Sequence, residues 1–275
     1  MAYENLGEGA LDYYPCRYGK SKLLFRGPRK KLEGDYLACV GGTETYGKFL
    51  EKPFPAMLEE VIGMPAVNFG CVNAGVDVFA NETTVIEACS NARATIIQVM
   101  GAQNMSNRFY AVHPRRNDRF VRASTLMKTI FREVDFTDFS FTRHMLGELQ
   151  ALSEERFEIV RDELKEAWVG RMKILLKKIE GKTILLWFAN HSPDEANSLA
   201  GLGKDPMFID RAMIEEVRPH VTDLVEVVPS FAARNKARES LIYSPLEEPA
   251  VKGVPGVAAH QEVTEALADC LKALL

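Results

Sequence analysis

The segment Ala94-Thr-Ile-Ile-Gln-Val-Met100 carries apolar or β-branched side chains on both of its alternating faces. A strand with one solvated face alternates polar and apolar residues. One covered on both faces does not, and that is the signature of a central strand in a parallel sheet. Thr183-Ile-Leu-Leu-Trp-Phe188 reads the same way, and shorter strand signals lie at Tyr36–Gly41, Ala66–Phe69 and Val221–Val228. Helical stretches fall between them. Phe54–Ile62 is closed by Gly63 and Pro65, and Thr83–Ala92 follows the second strand. A long helix begins after Ser153, with Glu154 and Glu155 in its first turn, Lys177 and Lys178 in its last, and Gly181 as the stop. Met207–Val217 and a closing helix from about Gly256 to Leu274 complete the set. Strands alternating with helices imply a parallel sheet with right-handed crossovers. The expected fold is a three-layer, flavodoxin-like α/β domain. Its five strands take the order 2-1-3-4-5, with a large insertion after strand 3.

A chain of 275 residues, 47% hydrophobic, can bury one sizeable core. Residues 1–35 are expected to form an arm laid on a domain spanning 36–275. The stretch Gly101–Leu152 is too long for an ordinary connection, so 105–152 is read as a lid or binding insertion. No run of 18 or more apolar residues occurs, so no membrane span is expected, and Met1–Gly19 lacks the layout of a signal peptide. The five cysteines are scattered without a CxxC, which indicates neither a metal site nor a disulfide framework. A reduced, cytoplasmic protein without a cofactor is the expectation.

The net charge is −4, yet positive charge is concentrated in two places. Cys16–Lys31 carries seven basic residues and no acid; Asn107–Arg122 carries Arg108, Arg115, Arg116, Arg119 and Arg122 against Asp118 alone. The first stretch reads equally as a solvated face. The second is all arginine, the side chain that forks onto carboxylates, phosphates and sulfates. It predicts an anion site at Arg108, Arg115, Arg116 and Arg119. A negative net charge and the lack of a recognisable module argue against nucleic acid, and no GxxxxGK[ST] is present for a nucleotide kinase.

In a sheet of this topology ligands bind outside the carboxyl ends of the strands, where four loops converge. The first reads Gly41-Gly42-Thr43-Glu44-Thr45-Tyr46-Gly47, the second Asn68-Phe-Gly70-Cys-Val-Asn73-Ala-Gly75, the third Gly101-Ala-Gln103-Asn104. Pro255-Gly-Val-Ala-Ala-His260 leads into the closing helix, and Asn190-His191-Ser-Pro-Asp194 follows the fourth strand.

These loops resemble, in order, the GDSxTxG, NxGxxG, GxND and DxxH blocks of the SGNH (GDSL-type) hydrolases over roughly 36–110 and 180–272. They are also similar to an uncharacterised bacterial family within that superfamily. Thr43 stands at the serine position and Gly42 at the aspartate position. Asn73 holds the second glycine position, with Gly75 two residues late. Gln103 and Asn104 match the Asn-Asp pair, and Val257 replaces the aspartate before His260. The resemblance implies Thr43 as nucleophile and His260 as base, with His191 as the substitute base. Gly70 N–H with Gln103 or Asn104 would donate to an oxyanion, and Gly42, Gly70, Asn73, Gln103 and Asn104 would form the pocket.

Each of these residues also has a plainer reading. Gly-Gly-Thr can be a tight turn with a helix cap. His260 can be a surface residue at a helix start, and Asn68 and Asn73 can cap loop backbone. Cys71 reads as a small buried residue, and His220 as structural. His113 and His144 fall in the insertion.

The first functional expectation is a hydrolase or acyltransferase acting on an esterified, anionic carbohydrate or metabolite. The second is a non-catalytic SGNH-like protein that binds an anionic ligand. A third is sulfuryl or phosphoryl transfer.

Overall fold

The computed structural model describes residues 10–198 and 201–275. Five parallel strands, β1 (Leu37–Val40), β2 (Ala66–Asn68), β3 (Ala94–Gln98), β6 (Thr183–Phe188) and β7 (Asp223–Val227), make one sheet in the order β2-β1-β3-β6-β7. In register, Ala38 lies beside Thr95 and Ile96 beside Ile184. Counting only sheet strands, this is the order 2-1-3-4-5 that the sequence predicts.

The two-faced strands account for two cores. Ala38, Val40, Ile97, Leu185 and Trp187 point to one face and meet Val85, Trp168, Met172 and Ile214. Leu37, Cys39, Ile96, Ile184 and Leu186 point to the other and meet Phe54, Leu58, Val263 and Leu267. The first face is covered by helices Thr83–Ser90, Glu154–Lys178 and Arg211–Val217; the second by Phe54–Ile62 and Val257–Leu274. Ser153 Oγ accepts the Arg156 N–H at 3.3 Å and caps the long helix. Among the described residues no helix is long and apolar enough to cross a membrane.

In three places the structure departs from or adds to the sequence expectation. The insertion is not irregular: β4 (Tyr110–His113) and β5 (Arg116–Ala123) pair as an antiparallel hairpin, followed by helices Thr125–Ile130 and Thr142–Leu152. Its arginines hid the β pattern, because only Asn117, Phe120 and Ala123 of β5 are buried. The helix expected from Met207 starts at Arg211, where Asp210 accepts the Met213 N–H and caps it. The segment 229–256 holds short helical turns, among them Phe231–Asn235 and Glu248–Val251.

In the basic arm, Tyr18 and Phe25 pack edge-on against Phe69 at the end of β2. Arg26 is buried and donates to the carbonyls of Tyr46, Gly47, Leu50 and Glu51 at 2.5–3.3 Å. One guanidinium thereby ties four carbonyls of the loop after Thr43 to the arm.

Candidate functional site

Gln98, the last residue of β3, organises the first loop. Its side-chain oxygen accepts the N–H of Gly42 and of Thr45, each at 3.1 Å, and the Thr45 hydroxyl at 2.6 Å. Its amide nitrogen donates to Glu44 at 2.7 Å. Thr43 therefore sits on a pinned turn, and Thr43–Tyr46 forms one short helical turn closed by Gly47 in the left-handed conformation.

The Thr43 hydroxyl accepts the Asn73 backbone N–H at 3.0 Å and lies 3.3 Å from the Asn73 side-chain oxygen, to which it donates. Asn73 takes φ +55°, a left-handed position that asparagine tolerates better than most residues. Asn104 donates to the Asn73 carbonyl at 3.0 Å and accepts from Thr142 Oγ1 at 2.8 Å. Gln103 donates to Asp205 at 3.0 Å, and its buried side-chain oxygen has no partner. Gly42, Thr43, Asn73, Gln103 and Asn104 line one slot at the strand ends, together with Glu44 and Asp205.

Gly70 is not among the slot residues. Its N–H is taken by Asn68 Oδ1 at 2.8 Å, and a Cβ there would come within 2.2 Å of the Tyr46 nitrogen. Its bareness serves close packing of the second loop on the first. It has no free N–H to offer an oxyanion.

Neither histidine partners Thr43. His260 is fully buried in the fourth position of the closing helix; its Nδ1 accepts the Phe54 N–H at 3.0 Å, and its ring stacks on Phe54. Burial, aided by the positive charge of Arg26, pulls its pKa down to about 3. It is a neutral helix cap in the core. Phe188, which lines the slot, meets that imidazole edge to face at 5.1 Å. His191 is also buried, packed edge to face on Trp187, and lines a cavity with Arg161 and Lys204 that does not include Thr43. Its pKa is lowered by burial and then by Lys204.

None of the four arginines expected to hold an anion lines the slot. Arg108 pairs with the buried Glu163. Arg115 and Arg116 are exposed at the hairpin turn, and Arg119 lies over the Phe141 ring at 4.1 Å. The hairpin serves the site through Asn117, which accepts the N–H groups of Gly75 and Val78, and Asp118, which accepts from Asn73. The one side chain of the insertion that reaches the main cavity is Arg143, held by Asp205 at 2.9 Å.

That cavity, about 850 Å³, opens from the slot and is lined by Thr43, Glu44, Asn73, Phe188 and Asp205. Lys48, Arg143, Lys204 and Lys252 add four cationic side chains to it. They come from four distant parts of the sequence, so no single basic run reveals them. Glu44 is half-buried, and burial raises its carboxyl above the usual range; the Gln98 donor opposes the shift and the charge of Asp205 adds to it. Cys71 is the buried residue expected, its thiol pushed up to about 12 by burial.

Comparison with known proteins gives likenesses in structure at low identity. A catalytic mutant of Axe2, an acetylxylan esterase from Geobacillus stearothermophilus, is 15% identical at a TM-score of 0.43, over 86% of this chain and 93% of that one. LAE5, an alpha/beta hydrolase enzyme from the metagenome of Lake Arreo, Spain, is 15% identical at 0.42, over 88% and 97%. No curated protein matches the sequence. A family model does, over residues 1–275, and the chain belongs to the family it describes, the domain of unknown function DUF6473.

Proposed function

We propose that the protein binds an anionic small molecule or saccharide in the cavity at the strand ends, with Thr43 and Asn73 at its inner end. The observation that carries this reading is the charge of the lining. Four cations, Lys48, Arg143, Lys204 and Lys252, face two acids, Glu44 and Asp205. Arg143 is matched by Asp205, and Glu44 is the acid whose burial favours the neutral form. The residual charge is positive, and walls of low polarisability make such charge count for more than it would on an open surface.

A second reading, hydrolysis or acyl transfer on an esterified ligand, is supported by one specific arrangement. Thr43 stands on a pinned strand-end turn beside the side-chain amides of Asn73, Gln103 and Asn104. Against a Ser–His type of mechanism, the hydroxyl donates to an amide oxygen, a group too weakly basic to take its proton. If a hydroxyl or a water attacks an ester here, the proton released passes to a slot carboxylate, Glu44 or Asp205, and Glu44 is the one next to Thr43 in sequence.

Thermal-shift and calorimetric titration with sugar phosphates, sugar sulfates and uronates tests the first reading. Binding that weakens with salt and with Lys252→Ala is expected. Uncharged sugars binding equally well would overturn it. Short-chain aryl esters test the second: turnover lost in Thr43→Ala supports it, and turnover retained there removes the threonine from the chemistry.

A further inference from the structure

The main cavity does not end at Lys252. Asn190, Lys252, Gly253, Val254 and Pro255 line it on one side and also line a second cavity of about 450 Å³. The second cavity runs on to Arg234, Asn235, Arg238 and Glu248. The two cavities therefore adjoin at Asn190 and the segment 252–255, and together they outline a groove. The main cavity alone falls within the roughly 300–1,000 Å³ typical of sites for one small molecule, and the second extends the groove beyond that range.

Positive charge continues along the extension. Arg234 is exposed, and its guanidinium donates at 3.3 Å to the carbonyl of Asn190, a residue that lines both cavities. Arg238 pairs with Glu248 and donates to the Tyr243 hydroxyl at 3.2 Å. Lys48, Lys204, Lys252 and Arg234 make no ion pair among the described residues. Cations without an ion pair thus occur in both cavities, Lys48, Lys204 and Lys252 in the first and Arg234 in the second.

We propose that this groove binds a linear acidic oligosaccharide, a chain of sugars carrying carboxylate or sulfate groups. One acidic unit would lie at Thr43 and Lys48, and later units along Lys252 to Arg234. The proposal rests on the anion-binding reading above and names the ligand's class. Among the groove residues Phe188 is the one aromatic side chain, so a single-stranded nucleic acid would lack the stacking partners that such ligands use. The rest of the lining is rich in amide, backbone and aliphatic surface, suited to hydroxyls and sugar faces.

The test is a length series at fixed salt. Galacturonate oligomers and heparin-derived oligosaccharides, each from one unit upward, are titrated against the full chain by calorimetry, with oligothymidylate as a comparison. In at least one saccharide series affinity is expected to rise about tenfold or more between the shortest and a six-unit ligand. Arg234→Ala should remove most of that gain while leaving the shortest ligand's affinity unchanged. Hydrogen exchange should show protection of 234–238 by the long ligand and not by the short one. Affinity independent of length in both series, with Arg234→Ala silent, overturns the extended groove and leaves the anion site standing. Failure of every acidic sugar to bind overturns both. Tighter binding of oligothymidylate than of either saccharide series assigns the groove to nucleic acid and overturns the saccharide.

Discussion

The backbone N–H of Phe54 is satisfied by the imidazole of His260, across 206 positions of sequence. Phe54 is the first residue of its helix and follows Pro53, and its N–H has no acceptor within that helix. The histidine that the sequence pattern assigns to catalysis is the cap that ties this helix to the closing one.

His260→Ala is therefore expected to cost about 3 kcal/mol, through a cavity and an orphaned N–H, with anion affinity at neutral pH intact. Its pH signature follows from the depressed pKa. The unfolded histidine takes a proton below pH 6.5, while the folded one resists until about pH 3. Its contribution to stability is thus complete above pH 6.5 and is lost as pH falls toward 3. Urea unfolding of the native protein should show that decline, and the variant should show it flattened.

Gln98 makes four hydrogen bonds to the first loop. Gln98→Leu keeps the volume and leaves the Gly42 and Thr45 N–H groups buried without an acceptor, at an expected cost of about 3 kcal/mol. Hydrogen exchange at those two amides should accelerate before the rest of the sheet opens. Unchanged protection would show that the loop is held by something else.

Gly75 is the glycine that arrives two residues late in the second loop. A Cβ there would fall 1.7 Å from the Asn104 carbonyl oxygen. Gly75→Ala should push the third loop away from Asn73, weaken anion binding and destabilise the fold by about 3 kcal/mol. Gly63→Ala has nothing within 4 Å but sits at φ +72°. It serves as the comparison, with a cost from backbone strain alone and no effect on binding.

The sheet was legible because burial on both faces leaves a mark in sequence. Ile96 and Ile97 feed opposite cores, so both must be apolar. Element ends were legible where a cap announced them, as at Ser153. The hairpin was not, since its outer residues are arginines and its inner ones serve local contacts. Thr43, Asn73, Gln103 and Asn104 were legible because each belongs to a strand-end loop. Lys48, Arg143, Lys204 and Lys252 were not, because what they share is a cavity and not a stretch of chain. His260 misled for a related reason. A histidine near a helix start is the same letter whether its ring faces a hydroxyl or caps a buried N–H, and the choice was made by Phe54 and Phe188, far away in sequence.

Glu44 gives the site its own pH dependence, and with it a way to separate binding from chemistry. Its carboxyl is raised by burial, opposed by the Gln98 amide and reinforced by Asp205. The folded protein therefore holds this proton above the ordinary value of 4.5, and its protonated form favours the folded state. That contribution is present below pH 4.5 and is lost as pH rises through the folded pKa. An anion in the cavity meets a neutral Glu44 at low pH and a charged one above that value. Affinity should fall as Glu44 ionises, and Glu44→Gln should abolish the fall and bind the anion at least as tightly at high pH. If the site also cleaves esters, the same ionisation acts the other way: turnover rises with pH as the carboxylate becomes able to accept a proton, and Glu44→Gln removes it. Thr43→Ala divides the enzymatic reading further. Loss of turnover with retained affinity marks the hydroxyl as the attacking group, and retained turnover marks a water. A protein that binds with the predicted pH dependence and cleaves no ester in either form uses Thr43 to hold Asn73, and the cavity then works by recognition alone.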